Sequence, residues 1–225
     1  MRKHKICGPY DLFIKRTMDI LCAVIVILLF WWLYAVLAIL VRTKLGSPVI
    51  FKQERPGRID KKTGKEKVFK LYKFRTMTDE RDENGDLLPG HMRLTKFGRF
   101  LRSTSLDELP EIWNILIGDM SLIGPRPLAM EYLPYYTEEE RVRHSVRPGL
   151  TGLAQASGRN GLTWEEKFAY DIEYANKVTF LMDCKVVFKT IKTVLSREGI
   201  GQGAESPESL HIQRQRKIEE ETIQK

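Results

Sequence analysis

Asp107 and Glu108 stand side by side in SLDELPEIWNILIGDMSLIGPRP (105–127), just ahead of Leu109-Pro110 and shortly before an arginine framed by prolines, Arg126. Adjacent carboxylates suit nucleophilic attack, proton transfer or metal binding. They also suit a plainer role. Ser105-Leu-Asp-Glu108 fits a capping box, with Ser105 as N-cap and Glu108 reaching back, and first-turn acids complement the helix dipole. The two readings are compatible. Successive helical residues lie about 100° apart, so one acid can cap while the other faces a cleft and stays ionised at the helix start. Basic residues cluster in the neighbouring sequence: Arg99 and Arg102 at i, i+3, Lys73 and Arg75 in or after a strand, Arg126, and Arg147 and Arg159 flanking a glycine-rich stretch. Arginines set in Pro/Gly loops are prepared for bidentate phosphate contacts. Neither a Walker A motif nor GxGxxG is present, which disfavours P-loop and dinucleotide sites.

The elements that must position these residues follow a long apolar run. Ile20–Val41, ILCAVIVILLFWWLYAVLAILV, has no charge, Pro or Gly. As a helix it reaches roughly 33 Å, enough for a bilayer core. It is too long for a cleaved signal peptide and no small-residue cleavage site follows. Basic residues lie on both sides: Arg2, Lys3, Lys5, Lys15 and Arg16 before, and Arg42, Lys44, Lys52, Arg55 and Arg58 after. Both flanks therefore favour the cytoplasm. A hairpin satisfies both, yet Trp31-Trp32 stands where a break belongs, and composition leaves the topology open.

Beyond the run, Pro48–Phe51 and Val68–Phe74 read as strands of one hairpin, with ERPGR and KKTGKE as turns. Residues 79–90 form a charged loop and Thr95–Arg102 a short helix. Leu106, Leu109, Ile112, Trp113 and Leu116 mark a helix from Ser105 that Gly118 ends. GPRP is rigid and extended. Glu138–His144 reads as a helical turn, 146–161 as a loop, and Trp164, Phe168, Ile172 and Ala175 as a helix face. In Phe180–Arg197 an apolar side (Val186, Val187, Thr190, Ile191, Val194, Leu195) opposes Lys185, Lys189 and Lys192, which suits a core-facing or membrane-surface helix. The expected fold is mainly α with a small β-hairpin. Residues 1–45 form a basic lead-in and membrane helix, 46–200 a compact catalytic domain with interfacial amphipathic helices, and 201–225 a loose polar tail.

The chain has 225 residues and a formal net charge of +8, which points to anionic partners. Cys7, Cys22 and Cys184 are widely spaced, and neither they nor the four histidines outline a metal site.

Several segments carry a family resemblance: KRTMDIL (15–21), VIFKQERPGR (49–58), KLYKFRTM (70–77), TKFGRFLRSTSLDELPEIWNILIGDMSLIGPRP (95–127) and VRPGLTGLAQASGR (146–159). In order and spacing they resemble the small monotopic phosphoglycosyl transferases, the bacterial sugar transferase family, from about Phe13 to Gly199. The resemblance implies transfer of a phosphosugar from a UDP-sugar to polyprenol (undecaprenyl) phosphate with release of UMP. It implies a re-entrant membrane helix, a cytosolic catalytic domain on the bacterial inner membrane, and Mg²⁺. It makes Asp107 the nucleophile and a metal ligand, Glu108 its catalytic partner, and Lys73, Arg102, Pro125 and Arg126 phosphate- or nucleotide-site residues. It leaves room for a homo-oligomer. Two positions depart from the family pattern: Trp31-Trp32 replaces a mid-segment Ser-Pro, and Ala156-Ser157 a frequent Val-Asn. One rival reading is a membrane-tethered binding module without turnover. Another is a nucleic-acid binder, suggested by charge alone and lacking any recognised motif.

Overall fold

The computed structural model describes residues 8–158, 161–195 and 209–223. Arg159, Arg2, Lys3 and Lys5 lie outside them. After a helical turn at Tyr10–Ile14 come helices α1 (Lys15–Leu45), α2 (Gly90–Arg93), α3 (Lys96–Ser103), α4 (Glu111–Ile117), α5 (Leu153–Gly158), α6 (Trp164–Asn176), α7 (Phe180–Leu195) and α8 (Leu210–Ile223). Strands β1 (Ile50–Ile59) and β2 (Glu66–Phe74) pair, as do β3 (Ser121–Ile123) and β4 (Gly149–Thr151). The fold is mainly helical, as the sequence suggests.

The hairpin is longer than expected, and ERPGR lies inside β1 rather than in a turn. The turn is Asp60–Lys65, closed by Asp60 N–H to Lys65 O and Gly64 N–H to Asp60 O. A two-stranded sheet has only edges, so Pro56 is tolerated. Gly57 is required, because a Cβ there would meet the Lys67 carbonyl at 2.7 Å. The parallel β3–β4 pair, with Ser121 opposite Gly149 and Ile123 opposite Thr151, was not foreseen. Within the stretch read as a loop, residues 149–151 are thus β4 and residues 153–158 α5.

Contacts divide the chain into two compact units. The first comprises Met1–Asp19, Glu54–Phe69 and Gly118–Lys225, the second Ile20–Gln53 and Lys70–Ile117. In the second, Leu37, Val41 and Leu45 of α1 pack with Phe74 and Leu101. Much of the apolar stretch of α1 faces outward: Ile25, Leu28, Leu29, Trp31, Trp32 and Ile39 are exposed. At 31 residues, α1 is about 46 Å long and continues unbroken through Trp31-Trp32.

In the first unit, one core joins Ile123, Val146, Leu153, Ala156, Tyr174 and Val186. A second joins Tyr136, Trp164, Phe168 and Leu210. α6 begins with a capping box, Thr163 and Glu166. α7 splits the side assigned to its core. Val186 is fully buried and Thr190 bonds Thr151, whereas Val187 is 41 % exposed and Phe188 73 %. Phe180, Leu181 and Ile191 are exposed with them. The side chains of Val194 and Leu195 are outside the described set. The expectation of a loose tail fails for 210–223. This segment is helical, Leu210 is fully buried, and Gln215 bonds the Tyr135 hydroxyl. One buried leucine in a polar sequence anchors the helix, and periodicity alone does not single it out.

Candidate active site

The second unit gathers the acidic pair. Asn114 on α4 is fully buried and replaces a strand partner, accepting from Tyr72 N–H at 3.0 Å and donating to the Lys70 carbonyl at 2.8 Å. This docks α4 on β2 and brings Lys73 to the acids. Lys73 Nζ lies 2.8 Å from Glu108 Oε1 and 3.1 Å from Glu111 Oε1. From α1, the Tyr34 hydroxyl donates to the Leu109 carbonyl at 2.7 Å, fixing the chain right after the pair.

Gly98 positions Arg102. A Cβ at residue 98 would come within 1.8 Å of the Thr76 carbonyl oxygen, so only glycine lets α3 lie against that loop. One turn later, Arg102 Nε donates to Thr76 Oγ1 at 3.0 Å. Arg75 and Arg99 are committed elsewhere. Arg75 bonds the Ser47 and Met77 carbonyls and pairs with Asp79, and Arg99 bonds the Leu94 carbonyl.

The local shape of the pair differs from expectation. Asp107 and Glu108 lie in a 3₁₀ turn, Leu106–Glu108, ahead of α4 rather than in its first turn. Ser105 takes a left-handed conformation (φ 56°) and its side chain makes no cap. Pro110 has no N–H to give the Leu106 carbonyl, so the α ladder is interrupted there and Leu109 N–H bonds that carbonyl in 3₁₀ fashion, while Leu109 itself keeps α dihedrals (φ −51°, ψ −40°). The expected capping box is therefore absent here. The expectation that Asp107 is held ionised meets an opposing effect in the structure. Asp107 is 8 % exposed, and burial raises its pKa, reinforced by Glu108 and opposed by Lys73 and Arg102.

Of the sequence-derived site residues, the structure thus brings Lys73, Arg102, Asp107 and Glu108 into one unit. Glu111, 2 % exposed, is a participant that the sequence reading missed. Its only signal was a third acid following Asp107 and Glu108. Pro125 and Arg126 belong to the first unit. There Gly124 N–H donates to Thr151 O (2.8 Å) and Gly149 N–H to Pro125 O (3.0 Å). Cβ atoms at Gly124, Gly149 or Gly152 would each press within 2.4 Å of opposing backbone, which explains the glycines of both motifs. Arg147 stands beside Pro148 at the entry to β4.

The geometry permits nucleophilic chemistry at Asp107 flanked by two cations, and binding of anionic groups. Comparison with known proteins adds to this. The model of the family described as bacterial sugar transferase matches residues 10–197. The uncharacterized sugar transferase EpsL of Bacillus subtilis is 51 % identical over 195 residues, covering 84 % of this chain and 91 % of that protein. The undecaprenyl-phosphate galactose phosphotransferase of Salmonella typhimurium is 37 % identical, over 83 % of this chain but 41 % of its own length. The UDP-glucose:undecaprenyl-phosphate glucose-1-phosphate transferase of Klebsiella pneumoniae is 38 % identical, over 79 % and 39 %. The chain thus spans less than half of these two longer relatives.

Proposed function

Since this chain belongs to the bacterial sugar transferase family and is a transferase, we propose that it moves a phosphosugar from a UDP-sugar to undecaprenyl phosphate and releases UMP. The observation that carries the reading is the buried Asp107 carboxylate between Lys73 and Arg102. In the first step an Asp107 oxygen bonds the β-phosphorus, and the bond from that phosphorus to the bridging oxygen breaks, so UMP leaves with the electron pair. In the second, a phosphate oxygen of the polyprenol attacks the same phosphorus and frees Asp107. Lys73 and Arg102 favour the ionised carboxylate that attack requires, against the opposing effect of burial. Lys73 also holds Glu108 at 2.8 Å, beside the nucleophile.

Magnesium fits this residue set. Among the described residues no three His, Cys, Asp or Glu converge into a ready-made cage. Mg²⁺ typically uses one or two carboxylates and takes further oxygens from substrate phosphates. Asp107 would hold it, with Glu108 adjacent, and the ion would neutralise charge developing on the leaving nucleotide.

The reading includes a monotopic course for α1 on the cytoplasmic face of the bacterial inner membrane. Its start is held within the first unit. Lys15 Nζ lies 2.6 Å from Asp183, and Asp19 accepts from Ser121 Oγ and Leu122 N–H. Its end, Leu37 to Leu45, is held within the second. The chain passes between the units after Gln53, Phe69 and Ile117. Among the described residues no other helix is long and apolar enough to cross a bilayer. In this reading both basic flanks of α1 face the cytoplasm.

Intact-mass measurement after incubation with a panel of UDP-sugars and Mg²⁺, without acceptor, tests the reading. One sugar should add a phosphosugar mass to the wild type and none to Asp107→Asn. Adding undecaprenyl phosphate should then release the adduct, and EDTA should prevent its formation. Absence of both adduct and UMP with every sugar would instead indicate a binding module.

A further inference from the structure

The loop Gly124-Pro125-Arg126-Pro127 has an unusual backbone problem. Two of its four residues lack an N–H, so few donors are available to anchor it. Hydrogen bonds with β4 fix its first half, through Gly124 N–H and the Pro125 carbonyl. The Arg126 carbonyl needs a donor from elsewhere. Arg143 supplies it, with Nη2 2.7 Å from that oxygen.

Arg143 is an expensive donor. It is 2 % exposed and pairs with Asp171, itself 4 % exposed, through Nε at 2.9 Å and Nη2 at 2.7 Å, both to Oδ2. Nη1 lies 3.3 Å from the Tyr136 hydroxyl, and the guanidinium packs 5.7 Å from the Tyr136 ring centroid and 5.8 Å from that of Phe168. A buried ion pair generally contributes little net stability, and apolar residues of similar volume often replace one without loss. The guanidinium does something apolar atoms cannot: it reaches a backbone carbonyl within a proline-framed loop while its remaining donors are occupied. A small pocket at this place is lined by Pro56, Gly57, Arg126, Arg143 and His144, among others.

We propose that Arg143, oriented by Asp171, is a positioning residue that fixes the backbone at Arg126 and so presents the Arg126 side chain to the nucleotide part of the donor. The effect of Arg143 on catalysis runs through Arg126, and the proposal rests on the nucleotide-binding role given to Arg126 by the family resemblance. The ion pair sets geometry; Arg143 itself does not touch substrate.

The test uses the full chain in detergent or nanodiscs. Arg143→Gln alone strands the Asp171 charge in the core, which is strongly destabilising, so Arg143→Met/Asp171→Leu is the principal variant, with Arg143→Lys beside it. Hydrogen exchange at Gly124, Arg126 and Leu128 should speed up in the double variant while the melting temperature stays near wild type. KM for the UDP-sugar should rise roughly tenfold with kcat little changed, as expected for a displaced binding group. In an Arg126→Gln background the double substitution should add nothing further to KM. Arg143→Lys should fall between wild type and the double variant. Unchanged exchange in the loop would overturn the proposal, and so would a KM effect that adds in full to that of Arg126→Gln. Should Arg126→Gln itself leave KM unchanged, the nucleotide role of Arg126 fails, while the exchange data still decide whether Arg143 fixes the loop.

Discussion

Lys73, in the unit that carries the acidic pair, serves two carboxylates at once and keeps a fifth of its side chain exposed. Arg143, in the other unit, serves one carboxylate, a phenol and a backbone carbonyl, and is closed off from water. Both are cations among acids, yet the balance differs. Around Lys73 the carboxylates Asp107, Glu108 and Glu111 outnumber Lys73 and Arg102, and Asp107 is pushed towards its neutral form. Around Arg143 each described polar contact has a counterpart, and Asp171 holds the guanidinium from one side. A charge left in competition is available for reaction, whereas a charge fully matched is available only for holding geometry.

Asp107→Asn probes the competing side most directly. Turnover should fall at least about a thousandfold, because an amide cannot form the covalent intermediate. The melting temperature should not fall, since the site disfavours the ionised carboxylate relative to water. A clear drop would show that the Asp107 charge is a structural support, and the contrast between the units would collapse. Lys73→Met should come next. It leaves Glu108 and Glu111 without their shared cation, and a loss of roughly 10²- to 10³-fold in kcat is expected from removing such a group. A variant with near-normal kcat would mean that Arg102 alone tunes the nucleophile.

The matched side should reveal itself through pH. Burial, with the nearby Arg143 charge, pushes the His144 pKa down to about 4, against the pull of Glu66. His144 is therefore neutral in the folded protein where an unfolded histidine already binds a proton. The unfolded state takes up more protons below pH 6.5, so stability falls as pH drops from about 6.5 towards 4, by at most roughly 3 kcal/mol. Chemical denaturation of wild type and His144→Gln across that window checks it; an equally steep loss in the variant would assign the dependence to other groups.

The smallest effect on folding is expected on α7. Phe188→Cys, in a chain lacking Cys7, Cys22 and Cys184, should change stability by no more than about 0.5 kcal/mol because the side chain is 73 % exposed. A fluorophore attached there should be quenched by brominated lipids if this face meets the bilayer, and unquenched emission would return α7 to the solvent. Single cysteines at positions 3 and 61 address α1 in the same background. An impermeant thiol reagent applied to intact cells should reach neither, and labelling at position 3 alone would show a true crossing.

Much of this molecule was legible as sequence. The apolar run of α1, the Thr95 start of α3, the helices from Trp164 and Phe180, and the stop at Gly118 follow from periodicity and end signals that act within a few residues. Asp107, Glu108, Lys73 and Arg102 could be singled out by residue type and motif. The sequence could not decide the backbone at Ser105, because the capping pattern and Pro110 impose competing local preferences. The three-residue strands β3 and β4 carry no periodicity of their own, and their pairing rests on glycines that matter only when two distant loops approach. The same limit hid Glu111, Asn114, Arg143 and Asp171. Each is an ordinary polar residue on a helix or turn until the tertiary fold removes water and leaves it to partners as far as 44 positions away in the chain.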